Sequence, residues 1–159
     1  MTEITVRAIR DEDIEDIIRI DKLLTGAEKS GHWRGRLRIY TSAEQDMIEK
    51  LSPDLCQVAV EGGRTVGFIV GDVQSWQFGI PRCGRIVAIG VHPEYGRKGV
   101  GGKLLAALLA YFDKLELPAV QCLVQPGDPL DAFFRDGDFQ PTRWVTLEKR
   151  LTRGGSATH

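Results

Sequence analysis

Gly96, Gly99, Gly101 and Gly102 stand close together in the stretch Tyr95-Gly96-Arg97-Lys98-Gly99-Val100-Gly101-Gly102. From Gly101 onward the apolar residues repeat with helical period, so the glycines sit where a helix begins. A helix start offers backbone N–H groups without intrahelical partners, at the positive end of the helix dipole. Glycines there remove the Cβ atoms that would hold a diphosphate away from those groups, and Arg97 and Lys98 add positive charge. The chemistry implied is the binding of a phosphorylated ligand. Two common phosphate loops fail on spacing. The nucleotide-hydrolase loop would need glycine at Arg97 and Ser or Thr at Leu104. The dinucleotide fingerprint, started at Gly99, needs Gly or Ala at Leu104 and lacks its later acidic residue.

Other reactive residues are few. Cys56, Cys83 and Cys122 are odd in number and scattered, which argues against a disulfide framework and agrees with a reducing compartment. Cys122 reads as a small buried residue and Cys83 as a loop residue. His32, His92 and His159 offer no zinc-like spacing with them, so no metal site is expected.

The elements around the glycine turn follow from periodicity. Ile4, Val6 and Ala8 alternate with Thr5 and Arg7 as a first strand. Asp11 is placed to cap a helix carrying Ile14, Ile17, Ile18 and Leu24, broken at Gly26. A second helical region runs through Trp33, Leu37, Tyr40, Met47, Ile48 and Leu51. Leu55 to Val60 and Thr65 to Val70 are strands joined across Gly62-Gly63, a primed hairpin turn. Arg85 to Val91 is a nearly continuous apolar run, as in a strand covered on both faces. A long helix then carries Leu104, Leu105, Leu108, Phe112 and Leu115, ending before Pro118. Ala119 to Val124 is a strand, Leu130 to Arg135 a short helix, and Phe139 to Leu151 a final strand or tight pair. The tail from 152 to 159, with Gly154-Gly155-Ser156, is expected to be mobile.

The chain has 159 residues, 42% hydrophobic and 27% charged, with a formal net charge of −1. No overall field attracts nucleic acid or a membrane surface, so an anionic ligand needs a local device. The N-terminus lacks the apolar core of a signal peptide, and no run reaches the ~20 apolar residues of a membrane span. A cytoplasmic location is expected, and a homodimer is compatible with the sequence.

The segment Ile89-Gly90-Val91-His92-Pro93-Glu94-Tyr95-Gly96-Arg97-Lys98-Gly99-Val100-Gly101 resembles the signature of the GNAT superfamily of N-acetyltransferases. That signature is an apolar-small-Val strand end followed by Gln/Arg-x-x-Gly-x-Gly/Ala at a helix start. Ala132 to Phe139 resembles the family's later Ala-x-x-Tyr-x-x-x-Gly-Phe segment. Gly96 takes the place of the usual Gln or Arg, Gly127 falls where many relatives have Asn, and Phe134 replaces Tyr. The resemblance implies one acetyltransferase domain over residues 1–151. Its fold is α/β, a mostly antiparallel mixed sheet of six to seven strands flanked by about four helices and splayed between the fourth and fifth strands. It implies acetyl transfer from acetyl-CoA to a primary amine of a small molecule or protein, directly within a ternary complex. The alternative is a non-catalytic acyl-CoA-binding or regulatory module.

Carried over, the backbone of Ile89, Gly90 and Val91 holds the pantetheine amides, and the Val91 N–H polarises the thioester carbonyl. Gly96, Arg97, Lys98, Gly99, Val100, Gly101 and Gly102 hold the diphosphate. Lys98 and Lys103 are either further phosphate contacts or solvated cations. Phe134 packs on the pantetheine arm. Asp72, at the end of the third strand, is the candidate general base or else a strand-end residue. Glu94 is the runner-up, and His92 reads as structural. Trp33, Tyr40 and Trp76 either line the acceptor pocket or fill the core.

Overall fold

A computed structural model of the chain describes residues 3–42 and 51–152. The expected helical positions Met47 and Ile48, and the tail from 153, lie outside the described residues. Two compact units divide the chain, Met1–Leu123 and Val124–His159.

The first unit is a sheet of five strands, β1 (Thr5–Ala8), β2 (Cys56–Glu61), β3 (Arg64–Gln74), β4 (Cys83–Val91) and β5 (Val120–Cys122), in spatial order β1-β2-β3-β4-β5. Neighbours are antiparallel except β4 and β5, which run parallel. The Gly62-Gly63 turn has φ of 56° and 80°, the primed geometry read from the sequence. The expected six to seven strands are five among the described residues. The difference lies in 139–151, which forms no strand. Cys83 is another correction: it starts β4 and is buried, not in a loop. Cys122 is only partly buried.

Helices α1 (Ile14–Thr25) and α2 (Ser30–Thr41) cover one face. α1 turns Ile14, Ile17, Ile18 and Ile20 inward and stops at Gly26, whose φ of 74° suits glycine. Asp11 opens a short 3-10 turn ahead of it rather than capping it. Trp33 stands edge-on to Phe68 of β3, and its Nε1 donates to buried Asp21 at 2.9 Å. Trp33 and Tyr40 are therefore core residues, whereas Trp76 lies exposed in the β3–β4 loop.

The opposite face carries α3 (Val100–Lys114). Gly67, Gly71 and Gly84 floor it. A Cβ on Gly84 would lie 2.8 Å from the Phe112 ring, one on Gly71 3.0 Å from Leu108, and one on Gly67 3.1 Å from Leu104. Those glycines let the helix lie close against the strands. Among the described residues, no helix is long and apolar enough to cross a membrane. In the second unit, α4 (Pro129–Asp136) follows the N-cap Asp128, and Phe134 is buried against Phe133 and Phe139.

One buried carboxylate ties the first unit together. Asp13 accepts two bonds from Arg7 of β1 (2.7 and 3.0 Å), one from the Thr65 hydroxyl of β3 (2.7 Å) and one from the Arg10 N–H (2.7 Å). Burial pushes its carboxyl up, but these donors outweigh burial and hold it below the ordinary carboxylate range. Asp13→Asn should cost about 2–3 kcal/mol in urea unfolding, less than a fully buried pair because Arg7 keeps some water contact. The wild-type contribution is complete above the unfolded carboxyl pKa of about 4 and is lost as pH falls through the lower folded value. The Asn variant should therefore show a flatter decline of stability with acid.

Candidate active site

The turn after β4 is built by the local sequence. His92 N–H donates to the Val66 carbonyl at 2.8 Å, closing the β3–β4 ladder. His92 Nδ1 then accepts from the Glu94 N–H at 3.1 Å, shaping the Pro93–Tyr95 turn. His92 is thus structural, and Glu94 is exposed. Arg97 holds a φ of 64°, and Gly99, at 75°, is the N-cap of α3. The first helical bond comes from the Lys103 N–H to the Gly99 carbonyl, 3.1 Å. Helix geometry leaves the amides of Val100, Gly101 and Gly102 without intrahelical acceptors, and Gly99 has no side chain to cap them.

A Cβ on Gly99 or Gly102 would meet nothing within 4 Å. Packing therefore does not require glycine at 102, although glycine inside a helix costs about 0.5–1 kcal/mol against alanine. Val100 anchors the turn by burying its side chain, while Arg97, Lys98 and Lys103 are exposed. Tyr95 braces it: its hydroxyl meets Glu61 Oε1 at 3.2 Å, and Lys98 Nζ stands 5.1 Å from the ring centre.

The second component is an interruption of the sheet. Among the described residues β4 pairs with β5 only through Gly84–Val120, Arg85–Gln121 and Ile86–Cys122, so no described strand lies beside its edge from Val87 to Val91. This is the parting expected between the fourth and fifth strands. It starts beside the irregularity opposite Val70 and Gly71, where β4 carries one extra residue. Amides along a strand alternate sides. Because His92 faces β3, Gly90 does too, and the N–H and C=O groups of Ile89 and Val91 point into the opening. Gly90 serves packing instead, since a Cβ there would come within 2.7 Å of Phe68.

Asp72 lies within β3, opposite Arg85, at the level where β4 and β5 part. Its Oδ2 is 3.4 Å from Arg36 of α2, and among the described residues its buried Oδ1 has no hydrogen-bond partner, nor has the buried Nε of Arg85. Arg36 also stands 5.5 Å from the Tyr40 ring centre, and the Tyr40 hydroxyl donates to the Gly71 carbonyl at 2.7 Å. That carbonyl projects past the last β2 pairing, Cys56 with Val70, so Tyr40 satisfies an acceptor the ladder leaves over. Sequence reasoning missed Arg36 and Arg85. The four-residue spacing of Arg36 and Tyr40 was the signal that both lie on one helix face. Burial pushes all three cysteine thiols above their ordinary range, and no cluster among the described residues could hold a metal.

Helix-start amides and strand-edge amides fit the two halves of a coenzyme A molecule, its diphosphate and its amide-bearing arm. The model of the acetyltransferase (GNAT) family matches residues 22–137. An acetyltransferase of Pectobacterium atrosepticum is 24% identical over 92% of this chain and 94% of its own. One of Sodalis glossinidius is 29% identical over 77% and 76%. Among solved structures, the aminoglycoside N-acetyltransferase AAC(6')-Iy in complex with CoA superposes with a TM-score of 0.74 at 15% identity, covering 96% of this chain and 97% of its own. Ard1 from Thermoplasma volcanium gives 0.69 at 24% identity, covering 87% and 84%. The chain belongs to the GNAT family of acetyltransferases, acetyl-CoA-dependent acyltransferases.

Proposed function

We propose that the protein moves an acetyl group from acetyl-CoA to a primary amine by direct transfer in a ternary complex. The observation that carries this reading is the joint placement of the free α3 amides and the outward Ile89 and Val91 amides at one end of β4. The amides of Val100 to Gly102 hold the diphosphate together with Gly96 to Gly99, with Lys98 and Lys103 adding charge. Coenzyme A carries two amides between its diphosphate and its sulfur. The arm therefore meets Val91 first, and the thioester lies further along β4. On that ordering Ile89 N–H is the donor nearer the thioester carbonyl, and Val91 engages an arm amide.

The acceptor arrives as an ammonium ion and must lose a proton before attack. Asp72 is the carboxylate at the level where the sheet parts, and the contact with Arg36 orients it. The thiols, held protonated by burial, are poor nucleophiles, which favours direct transfer over a covalent relay.

Three measurements test these assignments. Gly102→Val should fold normally, because a side chain there meets only open space. Calorimetry should show its acetyl-CoA affinity reduced by about tenfold or more, a loss of at least ~1.4 kcal/mol. Unchanged affinity would remove the phosphate role of the turn. Asp72→Asn should keep acetyl-CoA affinity and lower turnover by about 10²-fold at neutral pH, with the deficit shrinking as rising pH supplies neutral amine. Equal turnover of both proteins across pH would exclude Asp72 as base. Mass spectrometry after mixing the protein with acetyl-CoA alone should show the unmodified mass. A stoichiometric cysteine adduct that passes to acceptor would overturn direct transfer.

A further inference from the structure

Asp72 and Arg85 are a cross-strand pair whose charges do not close on each other. The β3–β4 register sets the two residues directly opposite. A Cβ on Gly71 would meet Leu108 and Phe112 of α3, and one on Gly84 would meet Phe112. Side chains alternate along a strand, so Asp72 and Arg85, each next to one of those glycines, turn to the other face, where α2 lies. Arg36 and Tyr40 of α2 reach the same place, through the 3.4 Å contact to Asp72 and the bond to the Gly71 carbonyl. Opposite charges at facing positions ordinarily pair. Here Arg36 donates to the Asp72 Oδ2 instead, and among the described residues Arg85 has neither an ion pair nor a side-chain hydrogen bond.

The charges there are unequal. Two guanidinium groups, Arg36 and Arg85, stand about one carboxylate, Asp72. Arg85 is partly buried and the Asp72 side chain is 29% exposed, so the place is half out of water and still open to a ligand. A guanidinium drawn partly from water without a counter-ion is unfavourable, and an anionic group on a ligand removes that penalty. Arg34 of the same helix shows the contrast, since Glu15 meets it with both carboxylate oxygens, at 2.9 and 3.1 Å. Carboxylates are the natural complement of such a group, because its paired N–H donors match their two oxygens. The position along β4 also fits: the arm enters at Val91, and the thioester lies past Ile89, on the side toward Arg85.

We propose that Arg85 selects an acceptor carrying a carboxylate beside its amine, so that the substrate is an amino acid and not a plain amine or a polycation. This rests on the acetyl-transfer reading with Asp72 as base, and it names the acceptor class. The ammonium end faces Asp72 and the carboxylate faces Arg85, the residue opposite. In an α-amino acid a single carbon separates the two groups, which suits neighbouring side chains. The ammonium gives a proton to Asp72, its nitrogen bonds the thioester carbonyl carbon, and the C–S bond breaks as CoA leaves as thiolate. The carboxylate is held and not changed. A polyamine would bring further positive charge to a place where Arg36 and Arg85 already exceed Asp72, and like charges repel.

A panel of L-amino acids, each compared with the amine that its decarboxylation gives, isolates the carboxylate. Rates are compared at equal concentrations of neutral amine. With acetyl-CoA and the full chain, kcat/KM for the preferred amino acid should exceed that for its amine by at least about tenfold. Arg85→Gln should raise KM for the amino acid by about tenfold or more and collapse that ratio, and Arg85→Lys should restore part of it. Calorimetry on the CoA-saturated protein should show the same preference in binding, without turnover. Equal kcat/KM for amino acid and amine, or an unchanged ratio in Arg85→Gln, overturns the proposal and leaves acetyl transfer standing. Amino acids that bind through Arg85 but are never acetylated keep the carboxylate site and remove the transfer reading. Failure of every amino acid in the panel to bind overturns the proposal as well.

Discussion

Everything in the first unit depends on how closely α3 can approach the sheet. The distance is set by Gly67, Gly71 and Gly84, where any Cβ would press on Leu104, Leu108 or Phe112. Val100 and Leu104 rest over Gly67, opposite the last residue of β4, and Phe112 rests over Gly84 at its start. The helix therefore runs antiparallel to β4, and its amide-bearing N-terminus returns to the strand end that carries Val91. A bulkier floor would lift the helix and separate the amides of the turn from those of the strand edge. Glycines far from the turn in sequence thus decide whether its two sets of donors can meet one ligand.

The other face is organised around polar groups that the sheet cannot satisfy itself. Tyr40 bonds the Gly71 carbonyl just past the end of β2, and Asp13 gathers donors from β1, β3 and the turn before α1. The Gly71 carbonyl and the Asp13 carboxylate are both buried acceptors, and each is matched by a donor from another element. Asp72 differs, because one of its oxygens keeps a buried, unmatched lone pair beside Arg85.

Much of this was legible in the chain. The glycine turn, the hairpin at Gly62-Gly63, the apolar run of β4 and the helical repeat of α3 each rest on local periodicity or local φ requirements, and each is present. Cys83 was misplaced because the signal for strand against loop fades at an element's end, where neighbouring Pro81 and Arg82 dominate. The alternation that turns Gly90 away from the opening could not be read, since it depends on register with β3. The role of Arg36 needed the sheet to bring residues 36 positions apart together. The strand expected over 139–151 has the right pattern, but a pattern specifies a face and not the partner that covers it.

The outward amides of Ile89 and Val91 give β4 a stretch of open edge next to the last strand, β5. Exposed edges seed aggregation by recruiting other chains. The opening is short, from Val87 to Val91, and is bounded by the pairing at Ile86 and the turn at His92. It offers a stretch of strand edge in which Ile89 and Val91 turn their backbone groups outward.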